Sequence, residues 1–131
     1  MNTLNASIKS IQTVENLNIV AFTCFEQTLK MMSLDLDENI QVNRAVSLQF
    51  KPTTVSIAKN ISGELSIGNQ LSVKITALEI GELLSVLLLS FYEHTLESII
   101  TTSSLKRMNL KVNDNVLALI KSSDLSIKEV F

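Results

Sequence analysis

Apolar and polar side chains alternate with a period of two along most of this chain. Val46, Leu48 and Phe50 fall on one face and Ser47, Gln49 and Lys51 on the other; Leu71, Val73, Ile75 and Ala77 alternate with Ser72, Lys74 and Thr76 in the same way. Successive side chains of a strand point to opposite faces, so this is the pattern of half-buried β-strands. It predicts strands near 4–12, 17–26, 28–33, 45–51 and 53–58, then near 71–79, 83–92, 95–101, 115–121 and 124–129. Two stretches break the alternation, Leu34 to Asn39 and Ser103 to Asn109. In the second, Thr102 and Ser103 can supply an N-cap and Leu105 and Met108 are spaced i, i+3, which predicts about one turn of helix.

The two sets of strands are two copies of one pattern. Val42-Asn43-Arg44-Ala45-Val46 with Phe50-Lys51-Pro52-Thr53-Thr54-Val55-Ser56-Ile57 returns as Val112-Asn113-Asp114-Asn115-Val116 with Ile120-Lys121-Ser122-Ser123-Asp124-Leu125-Ser126-Ile127, at a constant offset of 70. Asn2, Leu4, Ile8 and Ile11 return as Asn69, Leu71, Ile75 and Leu78 at an offset of 67. Self-similarity of this length marks a duplicated small domain. The turn residues of Asn60-Ile61-Ser62-Gly63-Glu64 place the boundary there, giving domains 1–60 and 61–131. Five short strands per copy predict an all-β fold of two small Greek-key barrels. With three glycines in the whole chain, Asn43, Asn113 and Asn115, each just before a fourth strand, are expected to take the positive φ that glycine would otherwise supply.

Units of about 60 residues bury only about 60% of their unfolded surface and are marginal alone. The chain is 46% hydrophobic, so the halves are expected to pack on each other and on further copies, a homo-oligomer. A net charge of −2 and two arginines, Arg44 and Arg107, offer no basic field to phosphates, so nucleic acid is not an expected partner. One Tyr and no Trp argue against an oligonucleotide-binding barrel, which stacks bases on exposed aromatics. The longest apolar run, Leu83 to Tyr92, is about half of the roughly 20 residues that span a bilayer, so no membrane partner is expected either. No charged n-region and cleavage site open the chain, and the single Cys24 has no intramolecular partner; both suit a cytoplasmic location.

No catalytic or metal-ligating constellation stands out, so the protein is not expected to be an enzyme and no cofactor is expected. His94, beside Glu93, reads as a solvated loop residue, Cys24 as a small core residue, and Asp35, Asp37 and Glu38 as a solvated acidic face. What recurs is lysine with hydroxyls. Lys51-Pro52-Thr53 and Lys121-Ser122-Ser123 close the fourth strand of each copy, and Ser33 and the Thr101, Ser103, Ser104 group follow the third. Brought together, these groups would make an oxyanion cradle of ammonium, hydroxyl and backbone N–H donors; the other reading is that lysine and serine are common at strand ends.

Four segments of the second half resemble the Mop-type molybdate-binding domain, a branch of the TOBE family. Ser66-Ile67-Gly68-Asn69-Gln70-Leu71 is similar to the opening S-A-R-N-Q-L, and Ile99-Ile100-Thr101-Thr102-Ser103-Ser104 to the I-T-x-x-S turn. Leu110-Lys111-Val112-Asn113-Asp114-Asn115-Val116 and Ile120-Lys121-Ser122-Ser123-Asp124 are similar to L-x-V-G-x-x-V and I-K-A-S-D. The resemblance implies two tandem OB-like five-stranded barrels, each with a short helical turn, assembled as a trimer or dimer. It also implies molybdate or tungstate held between domains or subunits. On it, Lys121 and Ser122 contact the anion, Thr101 and Ser104 donate hydroxyls, Ser66 and Asn69 come from the opening motif, and Lys51 and Ser33 hold the corresponding places in the first copy.

The sequence departs from that pattern in two places. Gly68 replaces the motif's arginine, and the first copy begins at Met1 without the serine-alanine-arginine segment. A guanidinium makes charged hydrogen bonds of about 1.5–3 kcal/mol each, so its loss weakens a site without abolishing it. The expected function is cytoplasmic oxyanion binding for storage, buffering or homeostasis, without chemical transformation. The alternative is a degenerate TOBE-type regulatory or interaction module that has lost its ligand.

Overall fold

The structure, a computed structural model, describes residues 1–131. The first copy forms β1 (Asn2–Val14), β2 (Leu17–Cys24), β3 (Gln27–Ser33), β4 (Ala45–Phe50), a 3-10 turn at Pro52–Thr54 and β5 (Ser56–Ala58). The second forms β6 (Asn69–Ile80), β7 (Leu84–Phe91), β8 (His94–Thr101), helix α1 (Thr102–Arg107), β9 (Asn115–Ile120), a 3-10 turn at Ser122–Asp124 and β10 (Ser126–Val130). The alternation therefore marks all ten strands, and the fold is the all-β, two-barrel architecture that it predicts. No helix is long and apolar enough to cross a membrane.

The fifth strands are exchanged. One sheet runs β10-β4-β1-β2-β3 and the other β5-β9-β6-β7-β8, so each copy lends its last strand to the sheet of the other. β10 pairs with β4 through Ser126 to Gln49 and Ile127 to Leu48, and β5 with β9 through Ser56 to Leu119 and Ile57 to Ala118. The 3-10 turns carry the crossing. Val55 and Leu125, which follow them, are buried on arrival, and the buried Ser98 Oγ of β8 donates to the Val55 carbonyl at 2.7 Å. The boundary near residue 60 thus divides the chain in sequence, while in space each sheet takes strands from both sides of it.

Inward residues of both sheets, among them Leu4, Ile8, Phe22, Leu48 and Phe50 with Leu71, Ile75, Leu89, Phe91 and Ile120, merge into one core cluster of 24 buried residues. At about 25 cal/mol per Å2 of apolar surface, this shared core stabilises the pair far more than two 60-residue units could stabilise themselves. Cys24 lies within it, and burial pushes its thiol up to about 11, the state of a packing residue and not of a nucleophile.

Equivalent bulges interrupt β1 between Ile8 and Ser10 and β6 between Ile75 and Ala77. Asn43 (φ 73°) and Asn113 (φ 77°) close them, their N–H groups donating at 2.7 Å to the Ile8 and Ile75 carbonyls. These two asparagines do the work expected of glycine. Asn115 does not: it lies in extended β9 opposite Lys74, and left-handed backbone falls instead at Asn60, Asn109, Glu15, Phe25 and Tyr92. The cap of α1 is Thr101, whose Oγ1 accepts the Ser104 N–H. Thr102, expected to cap, is buried and bonded to Ser85 at 2.7 Å and to the Gly81 carbonyl. The first copy has Leu34 at Thr101's place, lacks that cap, and forms no α-helix there. His94 opens β8 half-buried, its ring 5.8 Å from that of Phe25, with Nε2 enclosed and unpartnered; it is not the solvated loop residue expected.

Candidate functional site

Asn69 organises the ground around it. It opens β6 almost fully buried and clamps the edge strand β3 of the other sheet: the Lys30 N–H donates to Asn69 Oδ1 at 2.8 Å and Asn69 Nδ2 donates to the Lys30 carbonyl at 2.9 Å. An edge strand carries unpaired backbone groups, and the side-chain amide satisfies one donor and one acceptor at once. Upstream, Gln70 Nε2 donates to the Ile67 carbonyl at 2.8 Å and holds the Ser66–Gly68 turn against the strand. Asn69 also pairs with Ile120 across the sheet, which sets the next residues, Lys121 and Ser122, beside that turn.

Two adjoining concavities result, sharing Ser66 and Ser122. One, of about 440 Å3, is lined by Thr28, Lys30, Ser66, Gly68, Asn69 and Ser122, with no hydrophobic residue. The other, of about 160 Å3, is lined by Met32, Ser66, Ile67, Lys121, Ser122 and Ser123. Hydroxyls, a primary amide and two ammonium groups line them, and no carboxylate does. The ion pair of the chain is elsewhere, Lys59 to Asp114 at 3.1 Å, so neither Lys30 nor Lys121 is neutralised by a partner. The N–H groups that open a helical turn have no acceptor within it, and Ser122 and Ser123 open the second 3-10 turn here. Such a surface can hold a small anion rich in oxygen through charge-assisted hydrogen bonds.

The remaining expected residues lie apart. Thr101 ends β8 opposite Leu84, at the other end of the sheet from Asn69 and Ile120; its hydroxyl donates to Ser104 Oγ at 3.0 Å. Ser104 lines a separate concavity of about 170 Å3 with Ser56, Ile57, Ile100, Arg107 and Met108. Lys51 lines a fourth, of about 280 Å3, whose wall includes Asp124. Ser33 donates to the Asp35 carbonyl at 2.8 Å. The structure thus brings Ser66, Asn69, Lys121 and Ser122 together and leaves Thr101, Ser104, Lys51 and Ser33 outside that cluster. The sequence reading did not find Thr28, Lys30 or Gly68 as lining residues. The signal for Thr28 and Lys30 is the outward register of β3, where Thr28, Lys30 and Met32 alternate with the buried Leu29 and Met31. A roomier groove of about 500 Å3, lined by Ser72, Lys74, Ser90 and Asn115 with five hydrophobic residues, offers one ammonium and no comparable cluster.

Residues 65–127 match the family model of the TOBE domain. Among solved structures, the whole chain superimposes on the cytoplasmic molybdate-binding protein ModG in a form with molybdate bound. The TM-score is 0.86 and the identity 18%, over 96% of this chain and 94% of that one. No curated protein matches the chain by sequence.

Proposed function

We propose that this chain, whose residues 65–127 match the TOBE-domain model, binds a tetrahedral oxyanion, molybdate or tungstate, and holds it without transforming it. The single observation that carries this reading is the convergence of Ser66, Lys121 and Ser122 on a surface free of carboxylates. They come from opposite ends of the second repeat and meet because Asn69 and Ile120 are paired in the sheet. A dianion is attracted by the ammonium, oriented by hydroxyl and amide donors, and meets no imidazole or carboxylate that could move a proton for it. The fold shared with ModG, described as molybdate-binding and cytoplasmic, supports the same ligand class and location. Storage, buffering and homeostasis of the anion are the roles such a protein serves, and assembly into a homo-oligomer would cover its exposed apolar residues.

The test is titration calorimetry of the folded protein with molybdate, tungstate and sulfate, alongside its mass in solution. A micromolar dissociation constant, about 8 kcal/mol, is the expected scale for one of the first two. Absence of heat with all three overturns the reading. One observation favours the alternative of an interaction module: Ile80, Leu83 and Leu84 are all exposed at the β6–β7 turn, Leu83 by 79%. Binding of a protein there with no anion affinity would establish it.

A further inference from the structure

The repeat supplies an internal comparison. Asn2 stands to Glu97 as Asn69 stands to Lys30: the Glu97 N–H donates to Asn2 Oδ1 at 2.8 Å and Asn2 Nδ2 donates to the Glu97 carbonyl at 2.8 Å. The same amide clamp, at the same register of the third strand, fixes an exposed lysine in one half and an exposed glutamate in the other. Around the lysine, the cradle adds Lys121 across the shared Ser66 and Ser122 and has no acid in its lining. In the other half, Pro52 stands at the place of Ser122 and has no N–H to donate, and Lys51 lines a concavity with Asp124 to which neither Asn2 nor Glu97 contributes. Two clamped positions of one ancestry carry opposite charge.

Resting on the oxyanion reading above, we propose that Lys30 is a direct anion-binding residue and that Glu97, at the equivalent clamped position, keeps dianions from the other half, so that only the Asn69 cradle is used. Lys30 supplies the second positive charge that Gly68 does not, and it does so from the other repeat. The working site is therefore composite: β3 comes from the first copy, and the Ser66–Asn69 turn and the Lys121–Ser123 segment from the second. Neither repeat alone contains it. A lysine on an edge strand also discourages strand addition, and that role would leave anion affinity untouched.

The test is calorimetric titration with sodium molybdate at fixed ionic strength on the full chain and its Lys30→Gln and Lys30→Arg variants, with thermal unfolding as a check on folding. Lys30→Gln is expected to weaken binding by about tenfold or more, equivalent to about 1.4 kcal/mol, with an unchanged melting temperature, and Lys30→Arg to restore it. Wild-type binding should not exceed one tight molybdate per chain. An unchanged isotherm for Lys30→Gln removes Lys30 from the site while the oxyanion reading stands, and two tight molybdates per chain remove the role given to Glu97. No binding by the wild type to molybdate or tungstate overturns the oxyanion reading and this inference with it.

Discussion

Phe25 and Tyr92, at equivalent hairpin tips of the two repeats, stack face to face with ring centroids 4.3 Å apart and planes 2° from parallel. Each ring also meets Phe91 edge-on, at 5.8 Å for Phe25 and 4.9 Å for Tyr92. Both residues sit at positive φ, 55° and 51°, which costs bulky side chains of order 1–3 kcal/mol each. Glycine would remove that strain, yet the chain keeps aromatics there. The stack recovers part of that strain by tying one half to the other. A double-mutant cycle of Phe25→Ala and Tyr92→Ala, read by urea unfolding, should give a coupling energy of about 0.5–1.5 kcal/mol; additive effects would show that the rings stack without stabilising each other.

The amide clamps should matter equally for folding and unequally for binding. Asn2→Ala and Asn69→Ala each leave a strand N–H and carbonyl without their partner, at about 1–3 kcal/mol, because the two clamps have nearly the same lengths. Both variants are expected to lose comparable stability in chemical denaturation. Only Asn69→Ala should also weaken molybdate binding, since Lys30 and the Ser66 turn then lose their common anchor. Equal binding by the two variants would separate the clamp from the site.

Asp114 links stability to pH. Its carboxylate accepts the Lys111 N–H at 2.9 Å and the Lys59 ammonium at 3.1 Å, and these hydrogen bonds, the backbone one foremost, hold its pKa below the ordinary 3.8. Lys59, just past the exchanged β5, also donates to the Met108 and Asn109 carbonyls, so it fastens the exchanged strand to the end of α1. A depressed carboxylate contributes stability that is complete above its unfolded value and disappears as pH falls through its folded one. Asp114→Asn should therefore lower the thermal midpoint at neutral pH. The gap from wild type should close as the pH drops below about 4, and a gap that stays constant would place the effect elsewhere.

Much of this arrangement is legible in the sequence, and what is not follows from the range of the interactions. Alternation is a local property, so Leu71, Val73 and Ile75 announce β6 on their own, and the repeat announces its duplication. The left-handed Asn43 and Asn113 are readable because Asn tolerates that backbone; Phe25 and Tyr92 are not, because what the rings gain there is a contact between residues distant in the chain. Strand exchange is equally invisible, since β5 and β10 satisfy the same alternation on either sheet. That is why Lys121 and Ser122 could be singled out from their motif while Lys30 could not: its place beside the Ser66–Asn69 turn depends on which sheet edge Asn69 reaches. Thr101 and Ser104 are marked by a different motif, the I-T-x-x-S turn, and within the chain they stand at the far end of β8, where the Thr101 hydroxyl caps α1 and donates to Ser104 Oγ.

Gly68 offers the most direct gain-of-function test. A side chain built there meets nothing within 4 Å, and its backbone is outside the left-handed region, so no conformational reason requires glycine at this position. The residue lines the concavity with Lys30 and Ser122, where a guanidinium could add bidentate, charge-assisted hydrogen bonds of about 1.5–3 kcal/mol each in its most favourable geometry. Gly68→Arg is expected to tighten molybdate binding by about tenfold or more without loss of thermal stability. Lys121→Ala, which removes the ammonium of the adjoining concavity, should weaken it by a similar factor. Because both act through charge at one location, each effect should shrink as ionic strength rises. An arginine at position 68 that leaves the isotherm unchanged, in a protein that binds molybdate, would put the anion outside the Ser66–Asn69 turn.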